Sequence, residues 1–303
     1  MRAAIESIIS ELEHLRKRGV DRVFVHEDTL VKLNQVVAAR AAAAGPVDVE
    51  VAMVAPDQAI EARIPEIAPV ATKPKPKKEE LAPDAHIPEP ESFELPKGDK
   101  QTQWNWLREH VLGSEECQKH VKPGKKVVFG VGSLDADIFF CGEAPGADEE
   151  VQGEPFVGKA GQLLTKIIGA MGYKRGDVYI GNIMNWRPEM PTAFGNRPPT
   201  QREMNYCLPF LKAQLSIVKP KVIVALGATA VSGLLGPDSK RRMRDVRGKW
   251  ALFDAVPLMA TFHPSYLLRN NTNKAKRMVW EDMLKVMERI ERPISEKQRG
   301  YFL

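Results

Sequence analysis

The chain has 303 residues, 43% of them apolar, with a net charge of +5 and a pI near 9.0. That is enough apolar material for a globular core, and no run approaches the ~18 apolar residues a membrane helix needs, so the composition excludes a helical membrane protein. Three cysteines at irregular spacing (Cys117, Cys141, Cys207) make neither a disulfide framework nor a zinc pattern, and the first 20 residues lack the apolar core of a signal peptide, so the expected setting is a reducing cytoplasm.

In chain order, Ile5, Ile8, Ile9, Leu12 and Leu15 recur at helical spacing up to Gly19. A short strand-like run and a second, alanine-rich helix then reach Gly45. Residues 1–45 therefore read as a small helical module, too short to be a robust independent fold and suited to a protein partner, or else as a solubilising extension. Ten of the 23 prolines fall between Pro46 and Pro96, so residues 46–100 read as a disordered, Pro/Lys/Glu-rich tether. From residue 101 to 303, short β-rich runs alternate with amphipathic helices. The pattern predicts a three-layer α/β/α sandwich with a mostly parallel central sheet. Predicted strands are Lys126 to Phe129, Asp137 to Cys141, Val178 to Ile183, Val222 to Leu226 and Val256 to Phe262. Predicted helices are Trp104 to Leu112, Lys159 to Met171, Thr200 to Ile217, Ala228 to Leu235 and Ala275 to Ile290.

Two of these strands end in segments that carry chemistry. The first runs into GEAPG (Gly142 to Gly146), then three carboxylates in a row (Asp148, Glu149, Glu150), then Pro155 and Phe156 ahead of a helix. In an open α/β sheet that position, past the carboxyl end of a strand, is where a small ligand sits. The second ends in His263, followed by Pro264, Ser265, Tyr266, Leu267, Leu268 and Arg269, with basic runs at Lys240 to Lys249 and Lys274 to Arg277 on either side. A modest positive excess placed this way suits a polyanion partner, although lysine and arginine are also ordinary solvated surface residues.

Taken together, GEAPG with its acidic cluster, PFVGKAGQLL, the YIGNIMNWRP segment (Tyr179 to Pro188), NRPPTQRE (Asn196 to Glu203) and FHPSYLLR resemble the family 4 uracil-DNA glycosylases in order and spacing. The resemblance covers roughly Cys117 to Ile290. It implies hydrolysis of the N-glycosidic bond of uracil in DNA, by a monofunctional enzyme that extrudes the base and leaves an abasic site. It assigns Glu149 to orienting the attacking water and offsetting charge on the sugar, with Glu143 nearby in the turn. Gly142 and Ala144 belong to the base-binding turn, Phe156 to stacking on the extruded base, and Asn182 to reading its edge. His263 would hydrogen-bond the uracil oxygen as charge grows there. Tyr266, Leu267 and Leu268 supply a wedge into the duplex, and Arg269 a phosphate contact. Each of these residues also has a plain structural role open to it: solvated acids, core aromatic, strand-terminating amide, buried histidine.

The resemblance further implies four cysteines holding an iron-sulfur cluster, but here those positions read Cys117, His120, Trp186 and Cys207. Two thiolates and an imidazole cannot supply four ligands, so no cofactor is expected, with Trp186 filling the volume. The expected partner is uracil-containing DNA, single- or double-stranded. The alternatives are a glycosylase for another deaminated base and a non-catalytic protein that binds damaged or single-stranded DNA.

Overall fold

The computed structural model describes residues 86–189 and 197–303. The small N-terminal module, the tether as far as residue 85 and residues 190–196 lie outside the described residues. The elements in order are α1 (Lys100–Gly113), α2 (Glu115–Lys119), β1 (Val131–Gly132), β2 (Ile138–Gly142), α3 (Ala147–Gln152), α4 (Lys159–Ala170), β3 (Tyr179–Asn182), α5 (Gln201–Val218), β4 (Val222–Leu226), α6 (Ala228–Leu235), α7 (Met243–Val246), β5 (Trp250–Phe253), β6 (Val256–Thr261), α8 (Pro264–Arg269), α9 (Asn273–Arg289) and α10 (Glu296–Arg299).

The central strands are apolar on both faces, which requires a helical layer on each side. Residues alternate between two separate cores. Phe139, Cys141, Tyr179, Ile223, Ala225, Leu258 and Ala260 pack with α1, α5 and α6. Ile138, Phe140, Ile180, Val222, Val224 and Met259 pack with α4 and α9. The sheet order is β1-β3-β2-β4-β6-β5; its four central strands are parallel, and β1 and β5 close the two edges antiparallel. The expected three-layer α/β/α sandwich is the observed fold, and β2, β3, β4 and β6 all end on the same side.

Several boundaries differ from the sequence reading. Lys126 to Phe129 lies at the sheet edge, joined to the segment after β3 by the Val128 N–H donating to the Asn185 carbonyl (2.8 Å), but the ladder itself is only Val131–Gly132. The edge strand β5 was not expected, and α3 and α8 form within segments read as loops. Residues 86–99, assigned to the tether, run along the domain: Ile87 is buried, and Phe93 and Leu95 pack on the core. The domain thus begins before residue 101, because those apolar side chains find a surface the proline count concealed.

A buried ion pair ties the basic 240–249 segment to the back of β6. Asp282 on α9 is fully buried. It accepts from Arg247 at 2.6 and 3.1 Å and from the Thr261 hydroxyl at 2.6 Å. Arg247 also donates to the Met278 carbonyl, and its guanidinium lies 5.9 Å over the Phe262 ring. Gly248 fits only without a side chain, since a Cβ there would lie 2.6 Å from an Asp282 oxygen. Asp282→Ala would strand Arg247, and the expected loss is about 3–5 kcal/mol in urea unfolding. A change under ~1 kcal/mol would show that the pair does not hold this corner.

Candidate active site

The four parallel strands deliver their last residues into one cleft of about 650 Å³. Glu143 comes from the end of β2, Asn182 from β3, Gly227 and Thr229 from the β4–α6 junction, and Phe262 and His263 from the end of β6. This is the position at which open α/β sheets bind ligands.

One wall is built by the acidic turn. Glu149 faces inward. Its Oε1 accepts from the N–H groups of Val157 and Gly158, both at 3.0 Å, and its Oε2 from Gly146 N–H at 3.1 Å. The carboxylate therefore locks the turn after β2 to the loop before α4, and one acceptor position remains on Oε2. That loop holds Phe156 at φ 54, in the left-handed region that non-glycine residues avoid. Arg175 braces it by donating to the Pro155 carbonyl at 2.5 Å. The helix comes so close behind that a Cβ at Gly161 would fall 1.8 Å from the Phe156 carbonyl oxygen.

The strain places the Phe156 ring across the cleft floor. A Cβ on Gly142 would lie 2.5 Å from that ring and 2.4 Å from Asn182 Oδ1, so only glycine lets ring, strand and amide converge. Asn182 is 7% exposed, and its Oδ1 finds no hydrogen-bond partner among the described residues. A buried acceptor left open beside an aromatic face is suited to a ligand N–H. Asn185, by contrast, spends its amide on the Val128 carbonyl (3.0 Å) and is structural.

Opposite, the His263 ring lies 5.6 Å from that of Phe156. Burial, helped by Arg269, lowers its pKa to about 4. Its Nδ1 accepts the Ser265 N–H at 3.2 Å and lies 2.8 Å from the Ser265 hydroxyl, so the proton of the neutral ring sits on Nε2. Glu143 is the other perturbed acid: burial raises its pKa, and a hydrogen bond to Thr229 pulls the other way.

At the rim, Tyr266 stacks on Phe262 at 4.3 Å and lines the cleft with Arg269. The three apolar residues after Ser265 do not share one environment. Leu267 is 5% exposed and packs on Ala275 and Val279, whereas Leu268 is 47% exposed. Leu267, expected among the DNA-contacting residues, is thus committed to the core, because the i, i+3, i+4 geometry of α8 turns it toward α9. Ala144 lines the cleft as expected. Thr229, Arg187 and Arg197 also line it and were not singled out from sequence. Nothing in the motif spacing marks them, although Arg187 and Arg197 lie inside the matching segments.

The positions corresponding to cluster ligands do come together, but not as a ligand set. Trp186 is fully buried and stacks on His120 at 4.7 Å and 15°, with Tyr206 at 5.9 Å. His120 Nε2 is 3.0 Å from Glu116. Cys117 and Cys207 are buried; burial pushes the first thiol up to about 12 and the second well above its ordinary value. Among the described residues no group of three or more metal-ligating side chains forms, so a four-ligand cluster does not fit these residues.

A stacking face, an open amide edge, partly buried carboxylates and an imidazole of lowered pKa meet at the strand ends of an α/β fold, an arrangement suited to a planar polar ring. Residues 129–284 match the uracil DNA glycosylase superfamily, and the chain belongs to it. It is family 4-like. A type-4 uracil-DNA glycosylase of Thermotoga maritima is 43% identical over 190 residues, covering 61% of this chain and 94% of that protein. One from Pyrobaculum aerophilum is 38% identical over 169 residues, covering 54% and 83%. One from Archaeoglobus fulgidus is 37% identical over 164 residues, covering 52% and 79%.

The histidine gives a direct test. The His263 ring is expected to titrate near pH 4 by NMR rather than near the ordinary 6.5. Because the folded pKa is the lower one, the unfolded chain takes up the proton first. His263 therefore costs no stability above pH 6.5 and an increasing amount as the pH falls from 6.5 to about 4. A midpoint at 6.5 would mean the ring is open to water and charged in weak acid.

Proposed function

We propose that this protein excises uracil from DNA by hydrolysing the N-glycosidic bond, as a monofunctional glycosylase that takes the base out of the stack and leaves an abasic site. The observation that carries the reading is the convergence of the strained Phe156 ring, the bare Gly142 and the unpartnered Asn182 Oδ1 on one slot, with His263 across from it. Membership of the uracil DNA glycosylase superfamily supports it.

In this reading the extruded uracil lies on Phe156, a stacking term of about 1–3 kcal/mol that does not choose among bases. Choice comes from Asn182: its Oδ1 accepts the uracil N3–H, where cytosine offers only an acceptor, so a wrong base leaves a buried group unpaired. As the glycosidic bond lengthens, electrons move into the ring, and negative charge builds on its carbonyl oxygen. His263 Nε2–H donates to that oxygen without transferring its proton. The sugar becomes oxocarbenium-like. Glu149, through the acceptor position left on Oε2, and Glu143 stabilise it and orient the water that attacks the sugar carbon; the proton released by that water leaves for the carboxylates or solvent. Leu268, the exposed leucine of α8, fills the gap in the duplex, with Tyr266 bracing it and Arg269 on phosphate. None of these steps needs a metal or cluster, and we assign the chain no cofactor.

The test is release of uracil from a single-stranded oligonucleotide carrying one uracil, scored as strand scission after alkali. His263→Ala should lower kcat by about 10²–10³-fold. Glu143→Gln should lower it by at least about 10²-fold, with binding of an abasic-site analogue retained in both variants. Leu268→Ala should reduce excision from duplex more than from single strands. A folded wild-type protein that binds the oligonucleotide and releases no base would overturn the reading in favour of another base or a binding protein.

A further inference from the structure

A second groove, of about 580 Å³, lies at the carboxyl end of α3, whose first turn lines the cleft. The two are joined through that helix. Asp148 and Glu149, in its first turn, line the cleft, while Gln152 and Gly153, at its end, line the groove. The Glu150 carboxylate reaches Arg187 of the cleft at 3.0 Å and Lys125 of the groove at 3.6 Å. The Lys126 N–H donates to the Glu150 carbonyl at 2.7 Å. The rise from Asp148 and Glu149 to Gln152 and Gly153 is about 5–8 Å, a distance a DNA strand covers in a nucleotide or two.

The groove's chemistry is that of a nucleic-acid platform. Trp104 forms one wall, fixed by its Nε1–H donating to the Tyr179 hydroxyl at 2.8 Å and by edge contact with Phe129 at 5.7 Å. The Arg108 guanidinium lies 5.9 Å over the indole, and Arg108 and Lys126 are exposed. Arg108, Lys125 and Lys126 line the groove with the Glu154 carboxylate; Lys125 is also paired with Glu150, so Arg108 and Lys126 carry its positive charge. A pre-fixed aromatic with basic side chains along one edge binds unpaired bases by stacking and their phosphates by charge.

We propose that this groove is a subsite for single-stranded DNA, taking the unpaired strand that flanks the nucleotide held in the cleft and stacking one of its bases against Trp104. The inference rests on the reading of the cleft as a DNA glycosylase site. It gives the enzyme a preference for unpaired substrate, because a flanking base still stacked in a duplex cannot reach the indole.

The experiment compares equilibrium binding of single-stranded oligonucleotides with one central abasic-site analogue, one set spanning the cleft alone and one extended on each side in turn. Extension on one side should tighten binding to the wild type by about 10-fold or more. Arg108→Glu with Lys126→Glu should abolish that gain and flatten the salt dependence by roughly one to two contacts' worth of slope, leaving binding of the short oligonucleotide unchanged. Trp104→Leu, which keeps an apolar wall, should remove most of the gain at unchanged salt slope. An extension effect that survives the double charge reversal, or the absence of any extension effect in the wild type, overturns the proposal. Loss of uracil release with the extension effect intact would instead sink the glycosylase reading and leave the groove standing.

Discussion

The geometry of the cleft depends on one carboxylate turned inward. Glu149 accepts three backbone N–H groups from two loops separate in sequence. Hydrogen bonds to a charged acceptor contribute about 1.5–3 kcal/mol each, whereas a non-glycine residue held in a sparsely populated backbone region costs on the order of 1–3 kcal/mol. Three such bonds outweigh the strain at Phe156, so the ring stays across the floor before any ligand arrives. Gly161 and Gly142 follow from that choice, one because the helix must pass directly behind the Phe156 carbonyl and the other because strand, ring and amide meet at a single point. The same residue thus serves architecture with three of its acceptor positions and leaves one open on the cleft wall.

The opposite wall is anchored differently. His263 follows a strand end whose Thr261 bonds to Asp282, itself paired with Arg247. A buried pair of this kind gains little over apolar packing, yet losing one partner is expensive, so it acts as a registration device rather than a source of stability. Arg247 under Phe262, and Phe262 against Tyr266, carry that registration to the rim. Basic segment, imidazole loop and α9 are therefore one mechanical unit. The low pKa of His263 fits the arrangement, since a ring held away from water and near Arg269 gains nothing by becoming cationic.

Much of this was legible in the sequence where one physical signal dominated. The buried parallel strands are continuous apolar runs, and four of the five expected ones form within a residue or so of their predicted bounds. Glu143, Ala144, Glu149, Phe156, Asn182 and His263 converge on one cleft, with Gly142 against the Phe156 ring and the Asn182 amide, because the sheet aligns the strand ends they follow. The edges were harder. The run Trp250 to Phe253 looks like interior strand but exposes Trp250 and Leu252, since its partner lies on one side only. Leu267 and Leu268 are identical letters, and only the rotation of α8 separates core from rim. Asp282 reads as one more polar residue of an amphipathic helix, because its burial is decided by Arg247, 35 residues away. Ile87, Phe93 and Leu95 were hidden by the prolines around them.

At the positions where the family resemblance implies cluster ligands, the described side chains pack on one another. A cluster would tie together α2, the segment after β3 and α5; in this chain His120, Trp186, and Tyr206 with Cys207 stand on those same three pieces. The stacked rings bury area that a large indole supplies at about 3–5 kcal/mol when well packed, comparable to other core anchors. This packing leaves one polar group over: Trp186 Nε1–H is buried without a partner among the described residues. In low-dielectric surroundings burial raises both thiols above their ordinary value, and Cys117 and Cys207 pack as small apolar residues. The cleft takes Asn182 from the end of β3 and, past Trp186, Arg187 and Pro188 from the same segment. The packing around Trp186 therefore bears on how firmly the segment after β3 is held, while the acidic turn and the imidazole loop have their own supports in Glu149 and the Arg247–Asp282 pair.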